Sequence, residues 1–220
     1  MKEKEIEDEL VSIRSMMERS SKFISLSGLS GILAGVYALV GAGFAYYGMY
    51  YGKPPQLNPY IYDDSNVVGY SYDESPRYHH SLIVGLLMVA GIVLIASIGT
   101  GIFFSARKAK RKGQPLWSST SRALLFHMAM PLVTGGILIL ILIARGHYGI
   151  AAPISLIFYG LSLVSASSYT FSMVKYLGLC EIILGLIAAC LPGFGLLFWA
   201  IGFGVLHIIY GSLMYFKYDR

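Results

Sequence analysis

The sequence predicts an all-α polytopic membrane protein: six transmembrane helices, both termini cytoplasmic, and a short amphipathic helix leading in. Three observations carry this. Charged residues make up 13% of the 220, about half of the roughly 25% usual for a soluble domain. Apolar windows long enough to span a bilayer, about 20 residues each, fall near 24–50, 81–104, 123–144, 148–170, 176–191 and 196–216. With the N-terminus in the cytoplasm, only Lys53, Arg77 and Arg145 of the 17 Lys and Arg lie on the far side, a decisive positive-inside bias. The alternation of barrel strands is missing, so helices must satisfy the backbone within lipid. Residues 23–216 therefore read as one transmembrane domain, and no length is left for a soluble one.

Residues 1–22 read as a cytoplasmic amphipathic helix. Ile6, Leu10, Ile13 and Met17 make one apolar stripe, the spacing of a helix face. Glu3, Glu5, Glu7, Asp8 and Glu9 occupy the outer half, and Arg14, Arg19 and Lys22 the inner half. An anionic leaflet would repel the acidic end. The helix is thus expected to pack on the basic segment Arg107, Lys108, Lys110, Arg111 and Lys112, or on a second copy of the chain. A solvated lead-in helix is the plainer alternative. The same basic residues are the candidate contact for anionic lipid headgroups. Their sequence, ARKAKRK, mimics a nucleic-acid patch but lies between two spans, so the net charge of +5 reflects topology and lipid. No nucleic-acid partner is expected.

Residues 52–80 are the one long outer loop, rich in Pro and Tyr, and read as a cap at the lipid interface. The pairs Asp63-Asp64 and Asp73-Glu74, with His79 and His80, match neither an EF-hand nor a zinc-site spacing. Cys180 and Cys190 lie on one span, about 15 Å apart at 1.5 Å per residue, and are expected to be free thiols. Ser162, Ser165, Ser167 and Ser168 lack a GxSxG setting, and intramembrane serines usually bond back to their own helix. No catalytic residue and no cofactor are assigned.

The first, third and fifth spans open alike, with a basic anchor followed by an aromatic or Leu-rich stretch: KFISLSGLSGILAG, RALLFHMAMPLVTGG and KYLGLCEIILGLIAA. This hints at three two-helix hairpins. The segment RSMMERSSKFISLSGLSGILAG, residues 14–35, resembles the opening of uncharacterised bacterial six-helix membrane proteins. That resemblance implies a bacterial inner membrane and carries no activity.

Two ionisable side chains stand out in the last two spans. The fifth reads Gly178-x-x-Glu181-x-x-x-Gly185, and the sixth reads Gly204-x-x-His207-x-x-x-Gly211. Offsets of −3 and +4 share a helical face with the central residue, so each span carries a small–ionisable–small stripe that permits close helix approach. In the first span, Ser27, Gly31 and Gly35 repeat the small-residue pattern, suited to packing inside the bundle or between two copies. In an antiparallel hairpin, residues at one depth are equidistant in sequence from the turn. The midpoint of Glu181 and His207 is Phe194, inside the PGFG turn, so the two are expected to meet. His127 is a third candidate at comparable cytoplasmic depth. Pro131 frees its carbonyl, and Thr134 on the same face completes a polar notch.

An ionisable residue within a span is a functional hypothesis by default. Four readings compete. The pair is a structural tie; or it serves proton-coupled or small-solute transport; or His127, Glu181 and His207 hold a metal; or two histidines ligate haem. The leading expectation is a non-enzymatic binding, assembly or regulatory protein built around a buried Glu181–His207 pair. If the two residues simply tie the hairpin, replacing either alone harms stability more than replacing both.

Overall fold

The computed structural model describes residues 26–51, 57–61, 68–72, 76–111, 113 and 117–219. The helix expected over residues 1–22, and Lys112, lie outside these. Six helices are long and apolar enough to cross a membrane: α1 Gly28–Tyr51, α2 Pro76–Arg111, α3 Ser119–Ala144, α4 Ala151–Ala166, α5 Met173–Cys190 and α6 Gly195–Tyr218. Short 3-10 turns at Tyr148–Ile150 and Ser167–Tyr169 extend α4 at both ends. By helix length and hydropathy the chain is a multi-pass membrane protein.

The outer loop holds the only strands among the described residues. Strands β1 (Leu57–Ile61) and β2 (Val68–Tyr72) pair antiparallel, with Leu57 opposite Tyr72 and Ile61 opposite Val68. Tyr60, Tyr70 and Tyr72 have high β propensity, and Asp63-Asp64-Ser65-Asn66 between the strands is turn-forming sequence. Reading the segment only as an interfacial cap passed over this pattern.

The helices pack in the order α2, α1, α6, then the α4/α5 pair, with α3 against α4. Glycine sets each close approach. A Cβ on Gly41 of α1 would stand 2.7 Å from Val93 of α2. One on Gly35 of α1 would stand 2.6 Å from the Gly204 carbonyl of α6, and one on Gly31 3.2 Å from the Gly211 Cα. Between α4 and α5, Gly160 and Gly178 each press on the other's carbonyl, at 2.6 and 2.7 Å from an added Cβ. Gly135 of α3 takes the Phe158 side chain of α4.

The glycine faces find specific partners. The glycine stripes of the fifth and sixth spans do not face each other: Gly178 and Gly185 face α4, while Gly204 and Gly211 face α1. Each stripe serves a different neighbour. Gly31 and Gly35 are likewise used within the chain, against α6, so that face is not open to a second copy.

The basic segment is also rearranged. Residues Arg107, Lys108, Lys110 and Arg111 are not a loop but the last turns of α2, where the helix dipole favours cations. Arg107, Lys110 and Arg111 are exposed. Lys108 turns inward instead: its Nζ donates to the Leu26 carbonyl at 2.7 Å and lies 5.8 Å from the centre of the Phe171 ring. It thus joins the head of α1 to the connection between α4 and α5.

Above this end, α2 has no buried residue in its apolar window, and α3 buries only Gly135. Both present Ile, Leu, Phe and Met outward, as lipid requires. At the other end of α1, Tyr46 and Tyr50 approach with ring centroids 4.5 Å apart, and Tyr47 and Tyr51 at 5.6 Å, the aromatic belt of a membrane interface.

Candidate functional site

Glu181 lies on the buried face of α5, with Val174, Leu177, Gly178, Gly185 and Ala188. It is fully buried, and His207 is 6% exposed. His207 Nδ1 stands 3.5 Å from Glu181 Oε1. The predicted pair therefore exists, buried between α5 and α6.

Its bonding differs from the expected tie. His207 Nδ1 lies 3.0 Å from the Gly202 carbonyl, and Nε2 lies 2.6 Å from the Tyr159 hydroxyl of α4. A carbonyl only accepts, so Nδ1–H donates to Gly202 O and the Tyr159 O–H donates to Nε2 in the neutral ring. Both imidazole nitrogens are committed elsewhere. Among the described residues neither Glu181 oxygen has a hydrogen-bond partner, which is uncommon for a buried polar group.

The geometry rests on a local change in α6. After one α-helical turn, Gly195–Trp199, the chain runs as π-helix over Ala200–Leu206 and returns to α-helix at His207–Met214. A π segment inserts an extra residue per turn and recurs at functional sites. Here it lets the His207 ring reach the carbonyl five residues back. It also sets Gly202 against the acid: a Cβ there would lie 2.5 Å from Glu181 Oε2 and 2.5 Å from Leu156 Cδ2. Only glycine leaves room for the carboxyl. The Phe203 ring packs between Tyr159 and Trp199, with centroid distances of 5.0 and 5.2 Å, and closes the side of the site.

Gly202 and Tyr159 were both missed in the sequence. Tyr159 carried a signal, since it lies mid-span, away from the interfacial belts where membrane tyrosines collect. Gly202 carried none, because its role depends on the π turn.

His127 is not part of this site. Its Nε2 bonds the Tyr169 hydroxyl at 3.0 Å, its Nδ1 lies 3.4 Å from Ser165 Oγ, and its ring stacks on Tyr169. Thr134 is exposed and bonds back to Met130 O at 2.8 Å, so the proposed notch is not formed. The cross-helix bond at the proline comes instead from Ser162, whose Oγ donates to Met128 O at 2.8 Å. That carbonyl lies one residue beyond the one Pro131 cannot reach. Ser162 and Ser165 thus reach across to α3, while Ser167 bonds back to Val164 O as intramembrane serines usually do.

Among the described residues no three His, Cys, Asp or Glu side chains converge on a metal-sized space, so His127, Glu181 and His207 do not form the weighed metal set. His127 of α3 and His207 of α6 bond different tyrosines, Tyr169 and Tyr159, and both ring nitrogens of each are engaged, so neither is placed as a haem ligand. Cys180 and Cys190 are free and exposed.

No family model matches this chain, and neither a curated protein nor a solved structure does.

Proposed function

We propose that this is a non-enzymatic protein of the bacterial inner membrane, with both termini cytoplasmic, whose binding or regulatory centre is Glu181 with His207 and Tyr159. One observation supports the reading: a fully buried carboxyl with neither oxygen hydrogen-bonded, beside an imidazole whose nitrogens are both engaged elsewhere. A pair kept only to tie helices gains most when its acid accepts hydrogen bonds. A polar group held without them lowers stability, and intramembrane acids of this kind mark functional sites. The exposed Arg107, Lys110 and Arg111 at the end of α2 suit anionic headgroups of the cytoplasmic leaflet.

The test is replacement of the wild-type gene by Glu181→Met in the source organism. The variant should accumulate in the membrane at normal level and reproduce the deletion phenotype. A strain that behaves as wild type, where the deletion does not, refutes the reading.

A further inference from the structure

We infer that Glu181 is a proton-binding site fed through Tyr159 and His207, the imidazole passing protons from the hydroxyl on one side to the carboxyl on the other. This deepens the reading of the centre as functional and names its ligand.

Size selects the ligand class. Glu181 Oε2 and Leu156 Cδ2 already occupy the space a Gly202 side chain would need, and the carboxyl is wholly buried. A carboxyl so enclosed among the described residues suits a proton, which needs only a donor in reach. His207 supplies one: Nε2 is 2.6 Å from the Tyr159 hydroxyl, and Nδ1, whose N–H rests on the Gly202 carbonyl at 3.0 Å, is also 3.5 Å from Glu181 Oε1 and reaches it by turning from that carbonyl. The two ring nitrogens face opposite partners, as a proton shuttle requires.

The step balances. In the starting state Glu181 is a carboxylate, Nδ1 carries the ring proton, and Tyr159 donates to Nε2. The Tyr159 O–H bond breaks as its proton moves to Nε2, while the tyrosine oxygen takes a proton from the aqueous side. The imidazolium then releases the Nδ1 proton to Oε1. The products are neutral Glu181 and an imidazole protonated at Nε2, which now donates to the Tyr159 oxygen. One proton is gained from water, and no electron moves. The same transfers in reverse return the Glu181 proton to Nδ1, the Nε2 proton to the Tyr159 oxygen and one proton to water, which resets the relay.

The groups facing the pair are His207 of α6 and Tyr159 of α4; Leu156 of α4 and Leu184 of α5 are apolar, and α1 meets this stretch of α6 with Gly35 and Leu39. Tyr210 packs with Tyr159 against Leu163, Val174 and Leu177. Tyr218 lies at the end of α6, its ring 4.3 Å from that of Phe171 and 5.4 Å from Lys217 Nζ.

The experiment is time-resolved infrared difference spectroscopy on the full chain in phospholipid vesicles after a pH step. Glu181→Gln assigns the protonated-carboxyl stretch, and Tyr159→Phe removes a single hydroxyl. Wild type should show a reversible carboxyl band that Glu181→Gln lacks. Tyr159→Phe, shown folded by its melting curve, should reach the same final amplitude about a hundredfold more slowly, the low end of what a positioned proton donor contributes. An absent or pH-insensitive Glu181 band overturns the proposal. So does a Tyr159→Phe rate equal to wild type, although the Glu181→Met gene replacement can still succeed in that case. Failure of that replacement test instead removes the functional centre itself.

Discussion

Replacing Glu181 by Met gives opposite signs for a structural ion pair and for the unbonded carboxyl seen here. Met keeps the unbranched length of Glu and nearly its volume, so packing against Leu156 and Gly202 changes little. The carboxyl accepts no hydrogen bond, and a buried polar group left unsatisfied costs about 1–3 kcal/mol. Removing it should stabilise the fold by that amount. At roughly 2–4 °C per kcal/mol for a chain of this size, the melting temperature of the purified protein should rise by about 2–12 °C. His207→Leu should do the reverse, because it strips the Tyr159 hydroxyl and the Gly202 carbonyl of their ring partners at about 1–3 kcal/mol for each orphaned group. The double variant should melt near Glu181→Met plus His207→Leu, with a coupling no larger than the roughly 0.6 kcal/mol average of intramembrane polar pairs. Scanning calorimetry or circular dichroism in detergent measures all four proteins. The reasoning fails if Glu181→Met melts well below wild type and the double variant recovers. Breaking a true buried ion pair costs about 3–5 kcal/mol, and recovery in the double variant is its signature.

Three further outcomes follow from the packing. Gly202→Ala should lose about 1–3 kcal/mol by overpacking against Glu181 and Leu156, whereas Gly136→Ala, with nothing within 4 Å of the new Cβ, should be neutral or gain up to about 1 kcal/mol of helix propensity. Equal melting temperatures for the two would contradict the close approach at Gly202. Ser162→Ala should lose roughly 0.6–1.7 kcal/mol, the range of interhelical bonds in membranes, while Ser167→Ala, whose bond stays within its own chain segment, should change less; the reverse order counts against the Met128 contact. Reporter fusions after Lys112, Lys175 and Arg220 should be active as cytoplasmic fusions and one within 54–79 as an external fusion, and a single inverted result breaks the proposed orientation.

Helix number was legible in the sequence because lipid demands it: a span must be about 20 apolar residues with every backbone group bonded internally. The same demand made Glu181 and His207 visible, since an ionisable side chain in such a run needs a reason. Their equal depth followed from helix rise and the position of the turn. What the sequence did not hold was which face met which neighbour. The stripe of Gly178 and Gly185 looks the same whether it packs on α6 or, as it does, on α4, because a small residue permits contact without choosing the partner. The hydrogen bonds of His207 depended on that choice, since Tyr159 comes from α4 and reaches Nε2 only when α4, α5 and α6 meet. The π segment at Ala200–Leu206 likewise had no signature in the sequence, nor did the place of Gly202 against the acid. One dimension of the site, its depth in the membrane, is a property of the chain. The other two, and with them the unbonded state of Glu181, were decided only by how the helices pack.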